Sequence, residues 1–278
     1  MYRGARRGGH GAAGKYGKSF SLGLRNAREY RINFLFSLLS AVCPAVIQTA
    51  LWTSIYGPDP GESLFGFTYS QMIAYVVIAN LVSRLVRTSF EYDLSSDIKS
   101  GGLDRFLVKP IGYFGFRLFT FLGGKSAQTG VTVVVLSASV WVMSAVLGFP
   151  ISAAAVLAFT AAILLAFALN FLIFWCVGML AFRLTEIGFL FEAMRIVIIT
   201  LSGGIFPLSV FGPSGEAVLK TLPFRFTIQF PTELLSGRIP PGEILPGFAM
   251  AAGWTAILAL LARALWANGI RRFAAVGS

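Results

Sequence analysis

SAQTGVTVVVLSASVWVMSAVLGFPISAAAVLAFTAAILLAFALNFLIFWCVGMLAF, residues 126–182, contains no Asp, Glu, Lys, Arg or His. A helix needs about 20 apolar residues to cross the hydrocarbon core of a bilayer, so this run is too long for one span and suits two. Gly148-Phe149-Pro150 supplies the turn between them and is too short to hold a domain. The rest of the chain could not keep such a stretch in water. Of its 278 residues 56% are apolar and 13% charged, with a mean hydropathy of +0.74, whereas a soluble domain is about one quarter charged. The expectation is an all-α membrane protein.

Working outward, four further apolar runs predict spans at about 32–56, 68–88, 194–212 and 244–267, which with 126–147 and 151–180 make six. Pro44 should kink the first, and Trp52 and Tyr56 suit interfacial anchors at its far end. The 151–180 run is long enough to tilt or to project beyond the lipid. The fifth run is interrupted by Ser202-Gly203-Gly204 and Pro207, with Pro213, Pro223 and Pro231 following. It predicts a span that ends early and short helices that dip back into the outer leaflet, where protein or a wet cavity must cover the irregular backbone. Residues 1–19 are basic and Gly-rich and read as a mobile cytoplasmic tail ahead of a single transmembrane domain, 20–278. Within 20–31, Phe20, Leu22 and Leu24 among Arg25, Arg28 and Arg31 predict an amphipathic helix in the interface. No cleavable signal peptide is expected, because the first apolar run is long enough to span.

The net charge of +11 could suggest nucleic acid, but its placement favours lipid. With both ends cytoplasmic, the inner segments hold 20 of the 23 basic residues, and the outer loops hold Lys220, Arg225 and Arg238. The positive-inside rule selects that orientation.

The spans carry almost no ionisable residue, which argues against an intramembrane enzyme and against a proton-coupled carrier. His10 is the only histidine, so no His-based triad or metal cluster can be assembled. Cys43 and Cys176 lie far apart in apolar stretches and read as small core residues. Gly123-Gly124-Lys125-Ser126 resembles the end of a phosphate loop. However, Phe119 stands where that motif needs glycine, and no strand precedes it, so Lys125 is read as a membrane boundary.

FEYDLSSDIKSGGLDRFLVKP, residues 90–110, is the most informative polar stretch. Phe90, Leu94 and Ile98 recur every four residues as one apolar stripe, leaving Glu91, Asp93, Ser95, Ser96 and Asp97 for the other faces. Gly101-Gly102 stops that helix, and Leu103, Phe106 and Leu107 give a second short amphipathic turn ended by Pro110. The stretch reads either as a surface connector with solvated charges or as a docking surface for a soluble partner.

Over about residues 28–278 the chain resembles the permease subunits of type-2 ATP-binding-cassette (ABC) exporters, the ABC-2 family. The likeness is carried by REYRINFLFSLLS, FTYSQMIAY, SFEYDLSSDIKSGGLDRFLVKP and LPFRFTIQFPTELLSGRI in that order. It implies six spans, an amphipathic connecting helix before Arg31, a cytoplasmic coupling helix and extracellular re-entrant helices within 205–231. It further implies that Asp97, Lys99, Asp104, Arg105 and Lys109 give charged contacts, and Leu103 and Phe106 apolar ones, to a separate cytoplasmic ABC ATPase. Phe206, Pro207, Phe211, Phe230 and Pro231 would form the re-entrant gate.

The resulting expectation is the permease of an ATP-driven exporter in a prokaryotic plasma (inner) membrane. It pairs with a second permease, either an identical copy or a related paralogue, sits in the lipid bilayer and binds no nucleic acid. The chain itself binds no cofactor and is no enzyme; ATP and Mg belong to the partner ATPase. Apolar and aromatic side chains from spans one, two and five, such as Phe34, Gln48, Trp52, Gln71 and Tyr75, are expected to line a pathway for an amphipathic or hydrophobic cargo. The rival readings are a nucleotide-independent channel or secondary carrier, and a membrane scaffold that moves nothing.

Overall fold

A chain that must satisfy its backbone within lipid has helices as its open choice, and helices dominate here. The computed structural model describes residues 12–28, 31–57, 63–100, 102–103, 112–147, 152–184 and 186–276. In chain order the helices are α1 (Ala12–Arg28), α2 (Arg31–Tyr56), α3 (Tyr69–Val86), α4 (Phe90–Lys99), α5 (Tyr113–Leu147), α6 (Ala153–Gly178), α7 (Gly188–Leu201), α8 (Gly212–Thr221), α9 (Gln229–Leu235) and α10 (Pro241–Val276). Short 3-10 turns follow α6, precede α8 and link α8 to α9. Among the described residues four stretches are long and apolar enough to cross a bilayer: Tyr69–Lys99, Gln128–Ala145, Ala153–Phe182 and Pro241–Arg271.

The centre of the molecule is α3. Thr68 caps its N-terminus by accepting from the Gln71 amide, while the Gln71 side chain accepts from the Thr68 N–H, a reciprocal capping box. Met72, Tyr75, Val76, Ile78, Ala79, Val82, Leu85 and Val86 are all buried. Helix α2 packs on one side of α3, and α5, α6 and α9 on others. A second core joins α4 to the end of α6, where Phe90 stacks on Phe171 at 4.0 Å and Trp175 meets both. A third joins α6, α9 and α10 around Phe226 and Phe230.

Several expectations change. Trp52 and Tyr56 are not interfacial anchors. Trp52 is 2% exposed and Tyr56 6%, because the hairpin-like turn at 64–67 folds over them and accepts the Tyr56 hydroxyl at the Phe67 carbonyl, 2.7 Å away. The amphipathic helix begins at Ala12, eight residues before the expected start at 20, and it packs along α5. Helix α5 runs unbroken through Gly123-Gly124 from Tyr113 to Leu147. At 1.5 Å per residue it is roughly 50 Å long, well beyond a core of about 30 Å.

The glycines of α5 have a packing purpose. A Cβ on Gly123 would collide with the Phe20 carbonyl of α1, and one on Gly23 with the Thr120 carbonyl of α5. The two backbones therefore cross at a distance that only glycine allows. Tyr16 continues the contact by stacking on Phe119 at 5.0 Å. The fragment that resembles a phosphate loop is thus a helix crossing.

Helix α7 has 14 residues, roughly 21 Å, too short to cross the core alone. Past its end the chain breaks into the short helices that Gly203 and the prolines foretell. Gly203 adopts φ +80, and a Cβ there would lie 2.6 Å from the Tyr75 hydroxyl oxygen.

Candidate functional site

A helix that stops leaves carbonyl groups without intrahelical donors. Where α3 stops, three successive carbonyls are taken by side chains from three different helices. The Asn170 amide of α6 donates to the Val86 carbonyl at 2.6 Å. The Lys125 ammonium of α5 donates to that of Arg87, and Arg195 of α7 to that of Thr88 at 3.0 Å. The joint between α3 and α4 is thereby held from all sides. Positive groups at a helix C-terminus are also favoured by its dipole.

Helix α4 starts directly after this joint. Phe90, Leu94 and Ile98 face inward as the four-residue spacing requires. Glu91 departs from the expectation of an outer face: it is fully buried, and the Arg195 guanidinium pairs with it. Its inward position follows from α7 lying against this flank and bringing the cation with it. Arg195 also meets Glu192 at 3.5 Å, the local pairing that the sequence spacing suggests. Tyr92 donates to Glu192 from the other side.

Arg117 of α5 ties the outer flank of α4. It pairs with Asp93 at 3.2 Å and with Asp97, and its Nε donates to the Tyr113 hydroxyl at 3.0 Å. Tyr113 in turn donates to Asp97 at 2.6 Å. Burial pushes the Tyr113 hydroxyl well above its ordinary range, which keeps it a donor. Of the seven residues expected to contact an ATPase, Asp97 is thus largely engaged within the chain. Lys99 is exposed, and Leu103 is fully enclosed, its N–H donating to the Asp97 carbonyl at 3.0 Å. Leu103 therefore supports from within the polar foot formed by α4 and the turn that follows it. Asp104, Arg105, Phe106 and Lys109 lie outside the described residues.

Beside the joint is a cavity of about 800 Å³. Its walls are helical stripes. Asn80, Ser83 and Arg84 share one face of α3 by their spacing, Arg87 follows just past its end, and Arg117, Phe121, Gly124, Lys125 and Gln128 share one face of α5. Gln48 closes the side toward α2 and accepts from the Asn80 amide at 2.9 Å. The charged residues facing the cavity are Arg84, Arg87, Arg117, Lys125 and Arg195 against Asp93 and Glu192.

The other expected pathway residues are placed differently. Trp52 and Tyr75 are enclosed in the core around α3, the Tyr75 hydroxyl donating to the Gly203 carbonyl at 2.6 Å. Gln71 caps α3 and accepts from Arg238 at 2.8 Å. The side chain of Phe34 lies outside the described residues.

Among the expected gate residues, Phe206 lies edge-on to Trp52 at 6.5 Å, Pro207, Phe230 and Pro231 are buried, and Phe211 is exposed. Gln229, which sequence reasoning passed over, organises this end. Its N–H donates to the Ser202 carbonyl at 2.9 Å, and its side chain bridges the Leu208 N–H at 3.0 Å and Glu233 at 2.6 Å.

With this geometry in hand, a family model described as ABC-2 family transporter protein matches residues 42–277, most of the chain. No curated protein matches it.

Proposed function

Since the chain belongs to the ABC-2 family of transporter proteins and is a membrane-spanning permease of an ABC transporter, we propose that it is the pathway-forming subunit of an ATP-driven exporter. A separate cytoplasmic ATPase drives it through the segment 97–109, and a second permease, identical or related, completes the pathway. Six membrane segments, the fifth of them too short to cross by itself, sit in the plasma membrane of a prokaryotic cell with both ends inside, and the short helices of 205–231 re-enter from outside as the gate.

The observation that carries this reading is the joint after α3. Nucleotide-driven movement must reach a membrane helix without being lost in a soft linker, and packed elements with few arrangements transmit such movement. The Asn170, Lys125 and Arg195 contacts tie the start of α4 to α5, α6 and α7 together. A push on the foot is thereby delivered to α5, α6 and α7 at once, besides α3, which leads into it. Lys99, exposed at the end of α4, and Arg105 beyond it supply charge for the partner, while Asp97, Tyr113 and Arg117 hold the foot in shape. Gln48 and Asn80 belong to the pathway's inner part, and Trp52, Tyr75 and Phe206 to the aromatic closure above it. This lining suits an amphipathic or hydrophobic cargo.

The test is affinity purification of the full chain from its own membranes in mild detergent, followed by transport assays in vesicles. An ABC ATPase should co-purify, and the variant K99A/R105A should lose it while keeping its thermal stability. Transport that proceeds without ATP, with no ATPase retained, would overturn the proposal in favour of a channel or carrier. Retained ATPase with no ATP-dependent movement of any amphiphile would leave a scaffold.

A further inference from the structure

We propose that Lys125 is a proton-binding site of the α3–α4 joint: its neutral amine clasps the Arg87 carbonyl, and taking up a proton drives it into the adjoining cavity and loosens the tie between α4 and α5. The site rests on the permease reading for the side of the membrane that supplies the proton and for any consequence in transport.

Lys125 stands three residues before the apolar stretch Gln128–Ala145, yet it is only 8% exposed. Among the described residues its hydrogen-bond acceptor is the Arg87 carbonyl, and no carboxylate pairs with it. Phe121 and Phe167 present ring faces at 5.4 Å and 5.7 Å. The carbonyl, the rings and the end of the α3 dipole all favour an ammonium. They replace only part of the hydration that its three donors have in water.

The surrounding charges do not close that gap. Arg84 from α3 and Arg87 just past its end repel Lys125, and Glu91 from α4 attracts it but is bound to Arg195 of α7. Farther round the cavity Asp93 pairs with Arg117 of α5, and Glu192 with Arg195. The cavity residues from α1, α2 and α6 are uncharged: Gly23, Pro44, Gln48, Asn170 and Phe174. Burial, with Arg87 and Arg84 acting the same way, pulls the Lys125 ammonium down to about 7.

A neutral amine still donates a hydrogen bond, so the clasp holds without the charge. Protonation adds a charge that the enclosed position solvates poorly, and the cavity of about 800 Å³ gives it somewhere to go. Gln128 lies one turn along the same face of α5, with Gln48 and Asn80 across from it. Any arrangement in which Nζ reaches water regains the ordinary value of 10.5. Between about 7 and that value only the opened arrangement holds the proton. The clasped arrangement is therefore favoured increasingly as pH rises through this window, tenfold in the equilibrium for each unit, and none of that gain is present below about pH 7.

The experiment uses the full chain in proteoliposomes. Lys125 is one of six lysines, and magic-angle-spinning NMR of the chain labelled at lysine 15Nζ separates amine from ammonium. One resonance should change from ammonium to amine near pH 7 and be missing from K125M and from K125R, while the other five stay ammonium to about pH 9. Hydrogen-exchange protection at the Arg87 amide and across 94–99 of α4 should fall at least tenfold from about pH 9 to about pH 6 in the unaltered chain. In K125M, which has nothing to titrate there, it should stay level.

A Lys125 resonance that stays ammonium to about pH 9 overturns the site. Level protection in the unaltered chain overturns its hold on the joint. Both readings come from the unaltered chain, and either variant suffices to assign the resonance. An ABC ATPase that co-purifies with a chain whose Lys125 stays charged removes the site and spares the permease, while titration near pH 7 with no ATPase retained does the reverse.

Discussion

Asn170, inside α6, donates its side-chain amide to the carbonyl of Val86, the last residue of α3, at 2.6 Å and 84 residues away in sequence. Asn170 is 4% exposed, so no solvent molecule can readily replace that bond. A buried carbonyl left without a donor costs about 1–3 kcal/mol. Asn170→Leu should therefore lower the thermal midpoint of the detergent-purified chain by several degrees and reduce ATP-dependent transport with it. An unchanged midpoint would mean that the joint does not need this clasp.

Glu91 and Arg195 make the second prediction. The carboxylate is fully enclosed and the guanidinium nearly so, at 0% and 14% side-chain exposure. Removing one partner strands a buried charge, which costs about 3–5 kcal/mol, whereas replacing both with apolar residues of like size is often neutral. Arg195→Met strands the enclosed Glu91 carboxylate and should destabilise most; Glu91→Leu should cost less, because Arg195 keeps Glu192 at 3.5 Å, and the double variant should recover the part of the loss that the stranded carboxylate causes. A double-mutant cycle by thermal or urea unfolding checks this, and strictly additive losses would refute it.

How far these features can be read from sequence depends on the distance over which they are built. The stripe of Phe90, Leu94 and Ile98 is local, and α4 obeys it. The capping box of Thr68 and Gln71 was equally open to reading, since a Thr followed three residues later by Gln before an apolar run is its signature; Gln71 instead read as a pathway residue. Glu91 was illegible, because its polar neighbours in α4 look the same and the cation that buries it stands 104 residues away. Gly123 read as part of a failed phosphate loop, since only the approach of α1 gives it a purpose. Trp52 looked like an interfacial anchor because end-of-span position and aromatic character are the local signals. The turn that covers it is a tertiary fact.

Gly203 gives a third prediction. Its φ of +80 is one that side chains with a Cβ rarely adopt, and strain of this kind costs about 1–3 kcal/mol. The added methyl would also lie 2.5 Å from the Gln229 side-chain oxygen and 2.6 Å from the Tyr75 hydroxyl oxygen. Gly203→Ala should therefore destabilise the chain by more than strain alone. Tyr75→Phe in the same chain should recover only part of the loss, because the Gln229 contact persists. Full recovery by Tyr75→Phe would show that the backbone conformation carries no strain.

The crossing of α1 and α5 leads to a prediction about order in the molecule rather than global stability. Gly23 and Gly123 let the two backbones meet, and Tyr16 on Phe119 extends the contact toward the start of α5. A side chain at either glycine has no flexible neighbour to push aside, since the obstructing atoms are the backbone carbonyls of Thr120 and Phe20. The helices must then separate. Helix α1 holds to the rest of the chain chiefly through α5, so Gly23→Leu or Gly123→Leu should release it while leaving α3, α6 and α10 packed. With Cys43 and Cys176 replaced by Ala, a cysteine pair at positions 16 and 119 should cross-link readily in the glycine background and at least tenfold less in either leucine variant, at a nearly unchanged thermal midpoint. Undiminished cross-linking would mean that α1 is held by contacts other than this crossing. A collapse of the midpoint would mean that the whole fold depends on it.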